Sequence, residues 1–456
     1  LLDDADAHVA STALRSFGRT ATVAVYPRLI EALGSAATRE AARDALAEQG
    51  AHAIPALVAA LLDPVASRAV RWSVPAVLAR IPTVESIAAL LQGALAAETD
   101  QLLDARAVRA LSRLRAHHPL LAFDRSLVRS LINREVAFTC VLHEAESALA
   151  RSSLRDATSE LLRRALWEAG EDRRENVFRC LGLLYEPGAM QHCWYAVARG
   201  DARARANAIE WLEHTLDRVL FIRIAPVLGN ASRTTRRRDP LRILGALAAG
   251  EDAWLACCSR RVAAALCGAD AASGMRGAVQ RATTGRSPAM DLVDKVFLLQ
   301  QVDLLRAAQS AHLALLAAIA DEIDVEPGAV LARAGEPVAA LFVVVSGAVL
   351  VTGAAGTLTL CPGAAFGTSA VIDDAGGIGD AVTIGRTRLL RIARDDFRDL
   401  LSDHPELAIS LLEGLGRRVR NLAAPVASTP LPRVDDTQTG GDDDPELRRR
   451  LLQTLL

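Results

Sequence analysis

The 456-residue sequence exceeds the size at which a single hydrophobic core keeps growing, so two or more structural units are expected. Hydrophobic residues make up 51% of the chain and charged residues 23%, a balance that excludes an intrinsically disordered protein. The formal net charge of -2 gives no overall positive field to attract a phosphate backbone. We therefore expect no nucleic-acid partner.

The seven cysteines are odd in number and show no CxxC spacing, which argues against a disulfide framework or a zinc site. This usage is typical of a reducing compartment, so we expect a cytoplasmic chain with neither a metal nor a cofactor. No signal peptide opens the sequence, and it begins with Leu1 instead of Met, so we expect it to be part of a longer protein.

Up to about residue 285, apolar residues recur at three- and four-residue spacing in stretches broken by Pro, Gly or Asp. Residues 26–50, 54–81 and 84–114 repeat one pattern of two helices. Pro27 and Pro55 open corresponding first helices, where the missing N–H of proline has little cost. Since one helix pair cannot bury its apolar face alone, the pairs are expected to stack. This pattern resembles HEAT repeats, which implies an α-solenoid.

Solenoids of this kind usually act as scaffolds, because their extended surfaces offer few concave chemical sites. The alternative is a HEAT-like DNA glycosylase or lyase, which would need a basic, aromatic-lined groove and a catalytic carboxylate. Tryptophans spaced one per helix favour packing within or between repeats, and the five are Trp72, Trp167, Trp194, Trp211 and Trp254. We assign no catalytic residue and expect no enzyme.

The periodicity changes after a Gly/Ser/Thr-rich stretch at 273–288. Amphipathic helices are predicted at 290–305 and 312–323, and short alternating runs with glycines at turn positions then predict strands. A strand pair leads into a long terminal helix within 381–422. The most specific motifs are Pro327 and Gly328, Gly335 and Glu336, LFVVVSG at 341–347, Pro362 and Gly363, Phe366 and Gly367, LLRI at 389–392, Asp396 and Phe397, and HPELA at 404–408.

Over residues 295–422 these motifs resemble the cyclic-nucleotide-binding domain family, which implies a β-roll with flanking helices. The fold class is therefore multidomain α + β, an N-terminal α-solenoid followed by a cyclic-nucleotide-binding-type β-roll. The predicted domains are the solenoid at 1–285, the cyclic-nucleotide-binding-like domain at 286–424, a flexible linker at 425–444 and an amphipathic helix at 445–456.

In that family a phosphate-binding cassette reads roughly F-G-E-x-A and, after a spacer, R-[ST]-A. The resemblance implies that its Glu accepts from the ribose 2′-hydroxyl and its Arg holds the cyclic phosphate. Here Thr368 replaces the Glu, no arginine follows before Arg386, and Asp373, Asp374 and Asp380 add negative charge. Cyclic-nucleotide binding is therefore not expected. The vestigial, inactive pocket consists of Phe366, Gly367, Thr368, Ser369, Ala370 and Arg386.

The alternative is a functional cyclic-nucleotide sensor with an unconventional pocket. In that case the backbone amides of 367–370 would bind the anion, and Arg386 or Arg388 would substitute for the missing arginine if the loop folds back.

The order of parts resembles the cytoplasmic portion of bacterial nucleotide-transporter-like proteins, which are related to ATP/ADP antiporters. This resemblance implies a non-catalytic scaffold or regulatory module on the cytoplasmic face of the inner membrane, with a transmembrane domain before Leu1. Protein partners or self-association are expected. The helix at 445–456 is too short to be stable alone, so it is predicted to dock on its own chain, on a partner or on a membrane.

Overall fold

The computed structural model forms two compact units, Leu1–Cys267 and Gly268–Leu456. It describes residues 7–18, 25–96, 101–151, 155–229, 240–250, 252–271, 290–336, 338, 340–353, 356–368 and 379–427. The predicted boundary at residue 285, most of the predicted linker and the predicted helix at 445–456 lie outside the described residues.

The first unit is mostly helical, as predicted. Its helices are α1 (Ala7–Gly18), α2 (Tyr26–Ala32), α3 (Ala36–Glu48), α4 (Ile54–Leu62), α5 (Arg68–Leu78), α6 (Val84–Ala96), α7 (Gln101–His117), α8 (Arg125–Arg151), α9 (Ala157–Leu184), α10 (Pro187–Arg199), α11 (Ala202–Thr215), α12 (Arg218–Leu228), α13 (Pro240–Ala248) and α14 (Ala253–Ala271).

Local sequence signals set several of the helix starts. Pro27 and Pro55 both lie in the first turn of their helices, as predicted. The side chain of Asp201 accepts from the Ala204 backbone N–H at 2.7 Å, and that of Asp217 accepts from Leu220 N–H at 3.1 Å. Each aspartate thereby satisfies a backbone donor that has no partner within its own helix.

Tryptophan placement differs from the prediction at two positions. Trp254 is buried, but Trp167 is 56% exposed and Trp211 is 41% exposed. Leu166, the neighbour of Trp167, is fully buried. Because successive residues on a helix point in directions about 100° apart, only one of these two adjacent side chains faces the core.

The second unit contains a β-roll of two antiparallel sheets, and its strands confirm the predicted change of fold. Within the described residues, one sheet has the order β1-β8-β3-β6 and the other β2-β7-β4-β5. The strands are β1 (Asp321–Val325), β2 (Val330–Ala332), β3 (Ala340–Ser346), β4 (Val349–Gly353), β5 (Gly356–Leu360), β6 (Ala365–Phe366), β7 (Gly379–Thr383) and β8 (Thr387–Ala393). The flanking helices are α15 (Leu292–Leu299), α16 (Ser310–Ile319), α17 (Arg394–Asp403) and α18 (Pro405–Ala427).

The interior of the roll is apolar. On β3, Phe342 and Val344 belong to the interior cluster, while Leu341 and Val343 alternate with them and are also buried. The rings of Phe342 and Phe366 stack across β3 and β6, with centroids 4.9 Å apart and planes 13° apart. This stack fixes the end of β6, where Phe366 begins the predicted cassette.

Among the described helices, none by itself combines the length and the apolar composition needed to cross a membrane. One bent pair of helices, Thr38–Glu48 with Gly50–Leu62, reaches that length and apolar composition when the two are taken together, with an angle of 117° between them.

Candidate nucleotide-binding site

The predicted cassette begins at a sharp turn that only glycine fits. Gly367 follows β6 with φ +81°, a conformation that side-chain-bearing residues rarely adopt. A Cβ at this position would lie 2.5 Å from the carbonyl oxygen of Ala340. Thr368 follows Gly367 and is only 7% exposed. The chain therefore leaves the roll with its backbone close to the start of β3.

The segment from 369 to 378 is flanked by described residues at one end of the roll. On the near side, Gly367 lies beside Ala340, the first residue of β3. On the far side, Gly379 pairs with Gly353, the last residue of β4. Gly347 links β3 to β4, and these two strands lie in different sheets. Ser369, Ala370, Asp373 and Asp374 lie outside the described residues.

Arg386 is not brought to this end. It lies in the turn between β7 and β8, where its carbonyl oxygen would be 2.7 Å from a Cβ on Gly347. Gly347 follows the last residue of β3, so the length of β3 separates Arg386 from Gly367 by about 20 Å at the usual rise of ~3.3 Å per residue. The Arg386 backbone thus lies near the end of β3 that is far from Gly367, and its role as a substitute for the missing arginine stays a prediction.

Arg388 is also engaged elsewhere. Its Nε donates to Oδ1 of Asp324 at 3.0 Å across the β1–β8 pair. This hydrogen bond to Asp324 raises the pKa of Arg388. The Arg388–Asp324 pair thus helps to fix which residues of β1 and β8 lie opposite each other.

Asp380 does not point into the roll. Along β7, Gly379, Ala381 and Thr383 are buried, whereas Asp380 is exposed. Its carboxylate Oδ1 accepts from the backbone N–H of Ala334 at 2.9 Å. The charge of Asp380 therefore lies on the outer face of β7, hydrogen-bonded to Ala334, and not in the interior of the roll.

Comparison with known proteins assigns this part of the chain to a family. Residues 322–404 match the family model of the cyclic nucleotide-binding domain. A protein named CRP-like cAMP-activated global transcriptional regulator, from two strains of Mycobacterium tuberculosis, is 27% identical over 129 residues, which are 27% of this chain and 58% of the relative. The chain thus spans little more than half of that relative. It contains a cyclic nucleotide-binding domain, and this part of the predicted resemblance is confirmed.

Two solved structures are similar to the same region. The N-terminal domain of a transcriptional regulator from Streptomyces coelicolor A3(2) is 24% identical, with 29% of this chain and 96% of that one covered and a TM-score of 0.26. The Thermus thermophilus catabolite activator protein is 27% identical, with 27% and 62% covered and a TM-score of 0.24.

These names correct our expectation about partners. Both a cyclic nucleotide and a nucleic acid were excluded, yet the relative is named as a cAMP-activated transcriptional regulator. The exclusion relied on the charge of the whole chain and on carboxylates near the cassette. Neither the charge of the whole chain nor the number of nearby carboxylates gives the charge inside a local site. Asp380, for example, lies on the outer face of its strand. The relation to HEAT repeats and to transporter-like proteins stays a prediction.

Proposed function

We propose that the second unit is a functional cyclic-nucleotide sensor and that the whole chain is a non-catalytic regulator that responds to the bound nucleotide. The observation that carries this proposal is the glycine turn at Gly367, which follows β6 within the domain matched at residues 322–404. The similarity to a cAMP-activated regulator supports the same reading.

The physical basis is the usual one for anion binding. Backbone N–H groups at the start of a helical turn have no carbonyl partner within the turn, so they attract an anionic phosphate. The apolar face of the roll offers burial to a base. Thr368 supplies a neutral hydroxyl where the family resemblance implies a glutamate, so we expect a weaker contact to the ribose than a carboxylate would make.

Calorimetry of the full chain with cyclic AMP and cyclic GMP tests the proposal. We expect saturable binding of at least one of them and its loss in Gly367→Ala, because the added Cβ would clash with Ala340. Gly385→Ala is the matched control, since a Cβ at Gly385 meets no atom within 4 Å. Absence of binding in the wild type, or equal binding by Gly367→Ala in a folded state, would contradict the proposal.

Thr368→Glu is expected to tighten cyclic AMP binding by about tenfold or more, because a charge-assisted hydrogen bond contributes roughly 1.5–3 kcal/mol. The same charge change at Thr359, exposed on β5, provides the control and is expected to leave the affinity unchanged. The measurement is the dissociation constant by calorimetry. If Thr368→Glu weakens binding, the hydroxyl itself is the ribose contact, and the assignment of a vacated glutamate position is wrong.

A further inference from the structure

A cavity of about 320 Å³ lies between α7, α9 and α10 in the helical unit. Its volume is at the lower end of the range for small-molecule sites, which is roughly 300–1,000 Å³. The side chains that give it its chemistry are Arg109, Arg113, Arg115, Arg179, Phe178 and Trp194.

Positive charge exceeds negative charge in the lining. Four arginines face a single lining carboxylate, Glu175, and that carboxylate already accepts from Nη2 of Arg179 at 2.6 Å. The Nε of Arg109 donates to the carbonyl oxygen of Ala105 at 3.3 Å, and Nη1 of Arg115 donates to Pro119 O at 3.0 Å. Carbonyl oxygens carry no net charge, so these two bonds do not offset guanidinium charge, and the lining itself holds four arginines and one glutamate.

Arg109 lies near charges of both signs. Burial is the largest cause that lowers the pKa of Arg109 to about 10, and the positive charges of Arg179 and Arg106 lower it further, whereas Asp172 and Glu175 act in the opposite direction. Arg109 remains protonated at neutral pH, so a half-buried cation experiences repulsion from Arg179 and Arg106. An anion placed between these groups would relieve that repulsion and would meet several guanidinium donors in a partly desolvated site.

An aromatic surface adjoins the arginines. Phe178 is buried, and its ring centroid lies 5.5 Å from that of Trp194. Trp194 is half-buried and lines the cavity, and the guanidinium of Arg174 lies 5.7 Å from its ring. Trp194 therefore gives the cavity an aromatic lining surface on which a planar ring can stack, beside the lining arginines.

We propose that this cavity binds a small phosphate monoester carried on a planar aromatic ring, with the phosphate on Arg109 and Arg113 and the ring against Trp194. A nucleoside monophosphate has this chemistry. The site lies in the helical unit and is separate from the cyclic-nucleotide site of the second unit. The volume of the cavity fits one small molecule. Its lining carboxylate, Glu175, is already bonded to Arg179, so we assign ligand binding to this cavity and no catalytic reaction.

The test is calorimetry of the full chain with three probes: AMP, inorganic phosphate and adenosine. We expect AMP to bind with a dissociation constant of about 1 mM or lower, phosphate more weakly and adenosine without measurable heat. Arg113→Gln should weaken AMP binding about tenfold, through loss of a charge-assisted contact. Arg125→Gln changes an equally exposed arginine outside the cavity and should leave the affinity unchanged. Gly367→Ala should retain AMP binding, which separates this site from the cyclic-nucleotide site.

Three results would overturn the proposal. The first is no binding of AMP at about 5 mM. The second is equal AMP affinity in Arg113→Gln and Arg125→Gln. The third is binding of inorganic phosphate as tight as that of AMP, which would leave no role for Trp194. If Gly367→Ala abolishes AMP binding, the ligand occupies the second unit, and the helical cavity is not its site.

Discussion

Replacement of Arg173 by methionine is expected to lower the free energy of unfolding of the helical unit by about 3–5 kcal/mol. The side chain of Arg173 is 6% exposed and lies between two carboxylates that are more deeply buried, Asp104 at 1% and Glu135 at 0%. Its Nη1 donates to Asp104 and to both oxygens of Glu135, at 3.0 Å each. Above about pH 7, where Asp104 is also ionised, the loss of Arg173 leaves two negative charges in one desolvated space, so the unfolding is measured at pH 8.

The remaining contacts do not compensate for this loss. Arg134 also contacts Asp104, and Asn176 Nδ2 donates to Glu135 at 3.4 Å, but one guanidinium cannot neutralise two carboxylates. Arg173 further lies 5.2 Å from the ring of Phe138. Methionine fills a similar volume, so the expected loss comes from charge and hydrogen bonding more than from a cavity.

Arg163→Met provides a control on the same helix. Arg163 is 33% exposed and makes ion pairs with Glu146 at 3.2 Å and Glu160 at 2.7 Å, so its removal should cost less than about 1 kcal/mol. Urea unfolding followed by tryptophan fluorescence gives the measurement, because all five tryptophans lie before residue 268. Equal destabilisation by the two variants would show that burial of the network adds nothing.

Local signals explain how much of the fold could be predicted from sequence. Prolines at Pro27 and Pro55 and the capping aspartate Asp201 mark helix starts through backbone chemistry that involves only neighbouring residues. Gly367 likewise adopts a positive φ, a conformation that glycine favours. These features involve only neighbouring residues, and of them the two prolines were predicted as helix starts from the pattern alone.

The buried ionic network could not be predicted in this way. Arg173 is separated by 69 positions from Asp104 and by 38 from Glu135, and each occurs in a helix rich in other charged residues. Charged residues are usually exposed, so the pattern indicates a solvated face. The arginine-rich cavity escaped prediction for the same reason, since Arg109 and Arg179 meet only when α7 packs on α9.

The candidate nucleotide-binding site also has a part that depends on local sequence and a part that depends on tertiary structure. Its beginning at Gly367 follows from a local motif, but the position of Arg386 depends on how β7 runs back along the roll. Arg386 lies only 19 positions after Gly367 in sequence, yet its carbonyl oxygen lies beside Gly347, which follows the last residue of β3. The outward direction of Asp380 depends on strand register, because a shift of one residue would reverse it.

The stability of the helical unit is expected to fall as pH rises from about 4 to about 7, and Asp104→Asn is expected to weaken this dependence. Burial and the adjacent negative charge of Glu135 raise the pKa of Asp104 from 3.8 to about 7 in the folded chain. Between these values the folded state holds a proton that the unfolded state releases. The free energy of unfolding therefore decreases with rising pH, by at most about 1.4 kcal/mol per pH unit.

Asp124→Asn is the control for this prediction, because the pKa of Asp124 is shifted in the opposite direction to that of Asp104. Hydrogen bonds from Ser126 and the backbone of Leu127 lower the pKa of the exposed Asp124, so its contribution is present above the unfolded pKa and is lost only as pH falls below about 4. Urea unfolding at intervals between pH 4.5 and 7.5 should thus show the wild-type slope in Asp124→Asn and a reduced slope in Asp104→Asn. An unchanged slope in Asp104→Asn would mean that Asp104 stays ionised throughout, held by Arg173 and Arg134 against its burial.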